Sequence, residues 1–334
     1  MTIQSYAAKK PKGHLEKFDY DPQTLGPKEI EIQISHCGIC HSDIHLIDDD
    51  WGLSQYPLVP GHEIIGSIIQ VGPEVTSLQK GQRVGIGWQR SACLECEFCI
   101  RGDENLCAKA EAACVGHFGG FAEFIRTDSR FAFPIPETLE SENAAPLMCA
   151  GITVYSPLRA FSVLPHMRIG VIGVGGLGHL AVQFARAYGC EVTAFSHTPS
   201  KVGEAKKFGA HHFVSLADAA DLEKQKGSLD FIISTVYKDL NWGAFLETLR
   251  PDGKLCFVGI PGKPLEIPLF SLLGGRKSIC ASPIGPRRFM TEMLDFAARH
   301  KITAKTESAP LEEAQAAVQK VRTGEARYRI VLNI

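Results

Sequence analysis

The chain has 334 residues, more than one hydrophobic core ordinarily organises, so two domains or one large one is the expectation. With 45% hydrophobic and 22% charged residues, and 35 Lys+Arg against 37 Asp+Glu for a net charge of -2, the composition is that of a globular protein. It speaks against disorder, a collagen-like repeat and polyanion binding through bulk charge. No run approaches the ~20 apolar residues of a membrane helix, and Met1 to His14 has lysines but no apolar signal core, so a cytoplasmic protein is expected.

The first half reads as short strands broken by glycine and proline. Glu29 to Ile34 alternates polar and apolar residues, and Glu63 to Val71, Gln82 to Ile86 and Phe121 to Thr127 are further strand candidates. The texture changes after Cys149. Arg168 to Ile172 is an apolar run ending in the turn 173–178, after which Leu177, Leu180, Ala181, Phe184, Ala185 and Tyr188 recur with helical spacing. Strands are predicted at Glu191 to Phe195, Asp230 to Ser234 and Leu255 to Gly259, with helices near Lys201 to Phe208 and Trp242 to Leu249. Strands alternating with helices imply right-handed crossovers and a parallel sheet, the doubly wound α/β arrangement. A helix over Glu292 to Ala298 and a last apolar run, Tyr328 to Leu332, return to the first domain. The expected division is residues 1–150 with 286–334, and 151–285.

Eleven cysteines are many for a reducing compartment, where thiols more often ligate metal than pair. Cys93, Cys96, Cys99 and Cys107 crowd into one short polar loop. Four thiolates there can close a tetrahedron around zinc with no open position, a site that holds a lobe and performs no chemistry. An iron–sulfur cluster is the alternative, although bacterial cluster runs have a different last gap and often a following proline. A nucleic-acid-binding zinc module would need a basic stripe, whereas Glu95, Glu97, Asp103 and Glu104 flank the knot. A sparser constellation is Cys40-His41-Ser42-Asp43-Ile44-His45, then Gly61-His62-Glu63, then Cys149. Two cysteines and one histidine are a known set for a zinc that keeps an exchangeable position. Spacing by itself leaves Cys37 and Cys40 equally eligible.

These residues carry a resemblance. The Cys40 to His45 run, Pro60-Gly61-His62-Glu63, the cysteine knot, Cys149-Ala150-Gly151-Ile152-Thr153-Val154 and the glycine turn stand in the same order as in zinc-dependent medium-chain alcohol dehydrogenases. Gly85 to Trp88, Ala194 to Ser196 and Ala326 to Arg329 look like the cinnamyl-alcohol-dehydrogenase-like, broad-specificity aldehyde reductase branch. The resemblance implies a GroES-like β-rich catalytic domain beside a Rossmann domain, two zinc ions per chain, a small-molecule aldehyde or alcohol substrate and a homodimer. It assigns Cys40, His62 and Cys149 to the catalytic zinc, with Glu63 able to approach the metal and Asp43 orienting the histidine; Cys37 becomes a bystander. It also implies a proton path from Ser42 through the nicotinamide ribose to His45. His41, and more loosely Arg329, match positions near the pyrophosphate, and Thr153 matches one beside the nicotinamide. Trp51, Trp88 and Gln89 are candidates for the substrate pocket.

The glycine turn follows a strand and opens a helix, the context in which it is informative. Gly173, Gly175 and Gly178 allow the tight turn, the approach of a pyrophosphate and close helix packing, while Gly176 and Leu177 lie at the helix N-terminus, which favours anions. Selective NAD sites place an acid near the end of the second strand, where it would repel a 2′-phosphate. This chain offers Ser196, His197, Thr198, Ser200 and Lys201 instead, so NADP(H) is the expected cofactor. The alternative is an NAD-dependent primary alcohol dehydrogenase.

Overall fold

The computed structural model describes residues 2–334 and divides them into two compact units, Met1–Ile152 with Pro286–Ile334, and Thr153–Gly285.

The first unit is built on a seven-stranded, largely antiparallel sheet. Its central strands are β1 (Glu29–Ile39) and β2 (Glu63–Val71), separated in sequence by helix α1 (His41–Asp48). Alternation in β1 puts Ile30, Ile32 and Ile34 on a fully buried face, in one core with Ile64, Ile68, Ile86 and Phe121. On the opposite face Glu31 is buried and pairs with Arg126 at 2.8 Å, while Gln33 is exposed. β1 runs five residues beyond the Ile34 end that alternation predicts. A register shift between Ile34 and His36 breaks the period of two, yet the pairing continues as His36↔Ile65, Cys37↔Ile64 and Gly38↔Glu63. That continuation sets the site, because it delivers Cys40 alongside His62 and Glu63. The C-terminal strand Arg329–Asn333 pairs with the other edge of β1, Ile330 opposite Ile39.

Other strands differ from expectation only at their ends. Phe124–Asp128 begins later than Phe121, whose backbone instead bonds across to Tyr6 and Pro60. Alternation missed the hairpin of Ile3–Ala8 with Leu15–Tyr20. Helix Arg287–His300 exceeds the predicted 292–298 at both ends; its buried stripe of Phe289, Met290, Met293, Leu294 and Ala297 keeps helical spacing throughout.

The second unit is a six-stranded parallel sheet of β3 (Arg168–Ile172), β4 (Glu191–Ser196), β5 (His212–Ser215), β6 (Leu229–Ser234), β7 (Leu249–Phe257) and β8 (Ser278–Ala281). Their spatial order is β5-β4-β3-β6-β7-β8, the doubly wound order of a Rossmann domain. Helix α2 (Gly178–Ala187) starts directly after the turn that ends β3 and packs on β3 and β4, with Leu180, Ala181, Phe184 and Ala185 buried. Among the described residues no helix is long and apolar enough to cross a membrane.

Candidate metal centres and cofactor turn

The first cluster joins the N-terminus of α1, the start of β2 and the turn ahead of helix Ala150–Ala160. Cys40 Sγ lies 3.9 Å from Cys149 Sγ, and His62 Nε2 lies 3.3 Å from Cys149 Sγ. Tetrahedral zinc with bonds of about 2.3 Å to sulfur and 2.0 Å to nitrogen needs donor separations of about 3.8 Å and 3.5 Å, so the three donors are spaced for one ion. His62 and Glu63 are wholly buried, and Cys40 and Cys149 nearly so. The hydrogen bond to Cys149 holds the Cys40 thiol well below the ordinary cysteine range, while that contact holds Cys149 well above it. The buried pair thus favours one negative charge, and a divalent cation is what allows two.

Glu63 is the fourth member. Burial raises its pKa to about 7, against the pull of the Arg329 guanidinium bonded to its Oε1. Its Oε2 is buried without a hydrogen-bond partner. An orphaned carboxylate oxygen beside three soft donors, with ligand atoms of all four residues within 4.8 Å of one another, fits a metal centre. Space for that carboxylate depends on Gly38, where an added Cβ would lie 2.1 Å from Glu63 Oε2.

Asp43 organises the cluster. Its fully buried carboxylate accepts from Cys40 N at 2.8 Å and Gly61 N at 2.9 Å, and lies 2.9 Å from His62 Nδ1. The first bond caps α1, and the third turns Nε2 toward the thiols. Ser42 Oγ is 3.7 Å from Cys40 Sγ. His45, one turn further along α1, has Nδ1 2.7 Å from Asp50 Oδ2 and a partly exposed ring. Trp88 stands edge-on to His62 with centroids 5.0 Å apart and to Trp51 at 6.2 Å, and Trp51 packs against His45 at 5.0 Å. Gln89 is buried with Nε2 unpartnered. His41, also on α1, is half-buried. Arg329, expected near a pyrophosphate, is 4% exposed and instead pairs with Glu63.

Sequence reasoning missed three neighbours. Asp50 reaches His45 only because α1 ends in the left-handed residue Asp49. Gly38 matters only through the β1–β2 register. Cys114 is buried with Asp43 and His62 in a second cluster whose ligand atoms lie within 4.8 Å of one another. Only the count of cysteines signalled Cys114. Cys37 is a core residue whose thiol pKa is raised by burial.

The four-cysteine loop closes on itself. Cys93 Sγ is 3.8 Å from Cys99 Sγ and 3.5 Å from Cys107 Sγ, again near the tetrahedral edge length. Main-chain N–H groups of Cys96 and Lys109 donate to Cys93 and Cys107 at 3.4 and 3.3 Å. Backbone donors from Glu95 and Cys96 bring the Cys93 thiol down to about 6. Arg287 and Arg288 bond Glu104 at 2.7 Å and Asp103 at 3.0 Å, tying the lobe to helix Arg287–His300.

In the second unit, Gly173 adopts φ +90, and an added Cβ would lie 2.6 Å from Val236 Cγ1; at Gly178 it would lie 1.7 Å from Gly173 O. At Gly175 it would meet nothing within 4 Å, so packing does not explain that glycine, whereas close approach by a ligand does. Lys201 Nζ donates to Val174 O at 2.7 Å, bringing its ammonium to this turn. Ser196 is buried, its Oγ accepting from Thr198 N at 3.1 Å, while His197, Thr198 and Ser200 are exposed. Thr153 is buried on helix Ala150–Ala160.

Known proteins share this fold. Residues 26–137 match the alcohol dehydrogenase GroES-like domain and residues 176–299 the zinc-binding dehydrogenase family. Aldehyde reductase AdhA of Synechocystis is 43% identical, covering 99% of this chain and 98% of the relative. A cinnamyl alcohol dehydrogenase of Sorghum bicolor superposes with a TM-score of 0.96 at 36% identity, covering 100% of this chain and 98% of that one. The cinnamyl alcohol dehydrogenase of Helicobacter pylori complexed with NADP(H) gives 0.91 at 32% identity, with 100% and 98% covered. The chain belongs to the zinc-dependent medium-chain alcohol dehydrogenase family, in its cinnamyl-alcohol-dehydrogenase-like branch, and is an oxidoreductase of alcohols and aldehydes.

Proposed function

We propose that the protein is an NADPH-dependent aldehyde reductase carrying two zinc ions per chain, one catalytic at Cys40, His62 and Cys149 with Glu63 able to approach it, and one structural at Cys93, Cys96, Cys99 and Cys107. The observation that carries the reading is a buried Cys–His–Cys set spaced for one ion, with an unpartnered Glu63 oxygen beside it. Zinc there supplies a Lewis acid for the carbonyl oxygen, and NADPH supplies the hydride.

The chain's own residues do the rest. Asp43 keeps His62 in the tautomer whose Nε2 faces the thiols. Trp88 and Trp51 wall one side and exclude water, and the Gln89 amide offers a buried polar contact. Ser42 donates its hydroxyl proton to the substrate oxygen as negative charge develops, and partly exposed His45 exchanges protons with solvent. Arg329 pairs with Glu63 beside the ligands and favours its ionised form. In the other unit, Gly173, Gly175, Gly176, Leu177 and Gly178 receive the pyrophosphate, and Thr153 is the residue beside the nicotinamide. Ser196, His197, Thr198, Ser200 and Lys201 receive the 2′-phosphate, with no carboxylate among them to repel it. The complex of the Helicobacter pylori relative with NADP(H) supports this choice. Ile260, Leu269, Phe270 and Leu273 are exposed on the segment that joins β7 to the edge strand β8, which suits a homodimer formed at that edge in the cytoplasm.

The test is steady-state reduction of straight-chain, branched and aromatic aldehydes on protein of measured zinc content. Two zinc ions per chain and kcat/KM at least about tenfold higher for NADPH than for NADH are expected, roughly 1.4 kcal/mol of discrimination. Equal efficiency with both cofactors overturns the NADPH assignment, and one zinc per chain overturns the open site. His45→Gln is expected to slow reduction and to change its pH dependence, because it removes the partly exposed ring that passes protons to solvent. A pH profile superimposable on that of the unsubstituted protein removes His45 from the path.

A further inference from the structure

Two cysteines outside both metal clusters sit side by side at the end of the parallel sheet. Cys256 on β7 and Cys280 on β8 are direct register partners, so both side chains leave the same face. Neighbouring strands place such partners about 4.8 Å apart, inside the roughly 4.4–6.8 Å Cα range that a disulfide spans. The two sulfurs lie over the same strand pair: Cys280 Sγ is 3.8 Å from Leu255 O and Cys256 Sγ 4.0 Å from Phe257 O. Cys256 is wholly buried, whereas Cys280 is partly exposed on an edge strand.

We propose that Cys256 and Cys280 form a redox-active dithiol site, oxidised by hydrogen peroxide to a cross-strand disulfide and restored by a thiol reductant. The exposed member reacts first. Cys280 thiolate attacks one peroxide oxygen, the O–O bond breaks, and Cys280 becomes a sulfenic acid as hydroxide leaves. Cys256 sulfur then attacks the Cys280 sulfur, forming the S–S bond, and the Cys256 proton and the sulfenic hydroxyl leave as water. The sum is two thiols and one peroxide giving one disulfide and two waters. The environment divides these roles. A hydrogen bond from Cys256 lowers the Cys280 pKa, with nearby Lys254 adding to the effect, whereas the same contact and burial raise that of Cys256. Pairing along the backbone edge of β8 leaves the side chains on the sheet face free for this chemistry. The site is separate from the zinc ligands and does not depend on the proposed activity.

The experiment treats the full-length, zinc-loaded protein with hydrogen peroxide, blocks free thiols and maps tryptic peptides without reduction. Cys256 falls in the peptide 255–276 and Cys280 in 278–287. A linked pair of these peptides, lighter by two hydrogens and separated by dithiothreitol, is expected, with complete loss of the link in Cys280→Ser and in Cys256→Ser. A matching unfolding temperature for Cys280→Ser before oxidation shows that the variant folds. Full alkylation of both residues as free thiols after peroxide has oxidised other cysteines of the chain overturns the proposal, as does Cys280 accumulating as sulfinic acid with Cys256 unlinked.

Discussion

Replacing Ser42 with alanine is expected to lower kcat about 100- to 10,000-fold, the range that one positioned proton donor contributes, while zinc content is unchanged. The hydroxyl sits in the first turn of α1, two residues after Cys40, and its oxygen lies 3.7 Å from the Cys40 sulfur. The extended backbone of the N-cap Cys40 brings its sulfur against this hydroxyl, so Ser42 faces whatever the Cys40 sulfur helps to bind. None of the three spaced donor atoms belongs to Ser42, and the three Asp43 contacts remain, so the cluster keeps its metal. A carbonyl taking up a hydride becomes an alkoxide, and without a donor at its oxygen the developing charge goes without that hydrogen bond. Unaltered kcat with two zinc ions per chain would take Ser42 out of the chemistry. Loss of zinc in Ser42→Ala would make its role one of metal retention.

Asp43→Asn is expected to weaken metal binding at the Cys40 cluster about 10- to 100-fold, read by competition with a chelator of known affinity, and to lower stability by about 1–3 kcal/mol. The reasoning is a count of donors. Oδ2 receives Cys40 N–H, and Oδ1 receives Gly61 N–H and faces His62 Nδ1, all with no solvent access. Asparagine keeps the shape but turns one oxygen into an N–H2 group. Whichever way the amide turns, a donor then faces a donor and a buried N–H loses its partner. If the amide nitrogen faces His62, the ring is driven to the tautomer that carries its proton on Nε2, the atom that must be free to bind the ion. Chelator competition indistinguishable from that of the unsubstituted protein would show that Asp43 caps the helix without orienting the ligand.

Much of the architecture was legible in the residues because two periods differ. The alternation of Ile30, Ile32 and Ile34 marks a half-buried strand, and the recurrence of Leu180, Ala181 and Phe184 after a glycine turn marks a helix packed on a parallel sheet. Element ends were less legible, since the register shift after Ile34 depends on the partner strand. The knot was readable because its four sulfurs are neighbours in sequence. The other cluster was not readable from spacing, since its donors come from three distant segments and Cys37 was as eligible as Cys40.

What the sequence determined by itself is local: the strand and helix periods, the turn glycines, a loop of four thiols, and a second-strand terminus without a carboxylate. Those properties depend on neighbours a few residues away. The tertiary structure decided the rest. It put Cys40 rather than Cys37 with His62 and Cys149, gave Glu63 a cation in Arg329 and room at Gly38, and set Cys256 against Cys280. Each of these depends on which residues face each other across a strand pair or a packed turn, and a shift of one position in register sends a side chain to the other face.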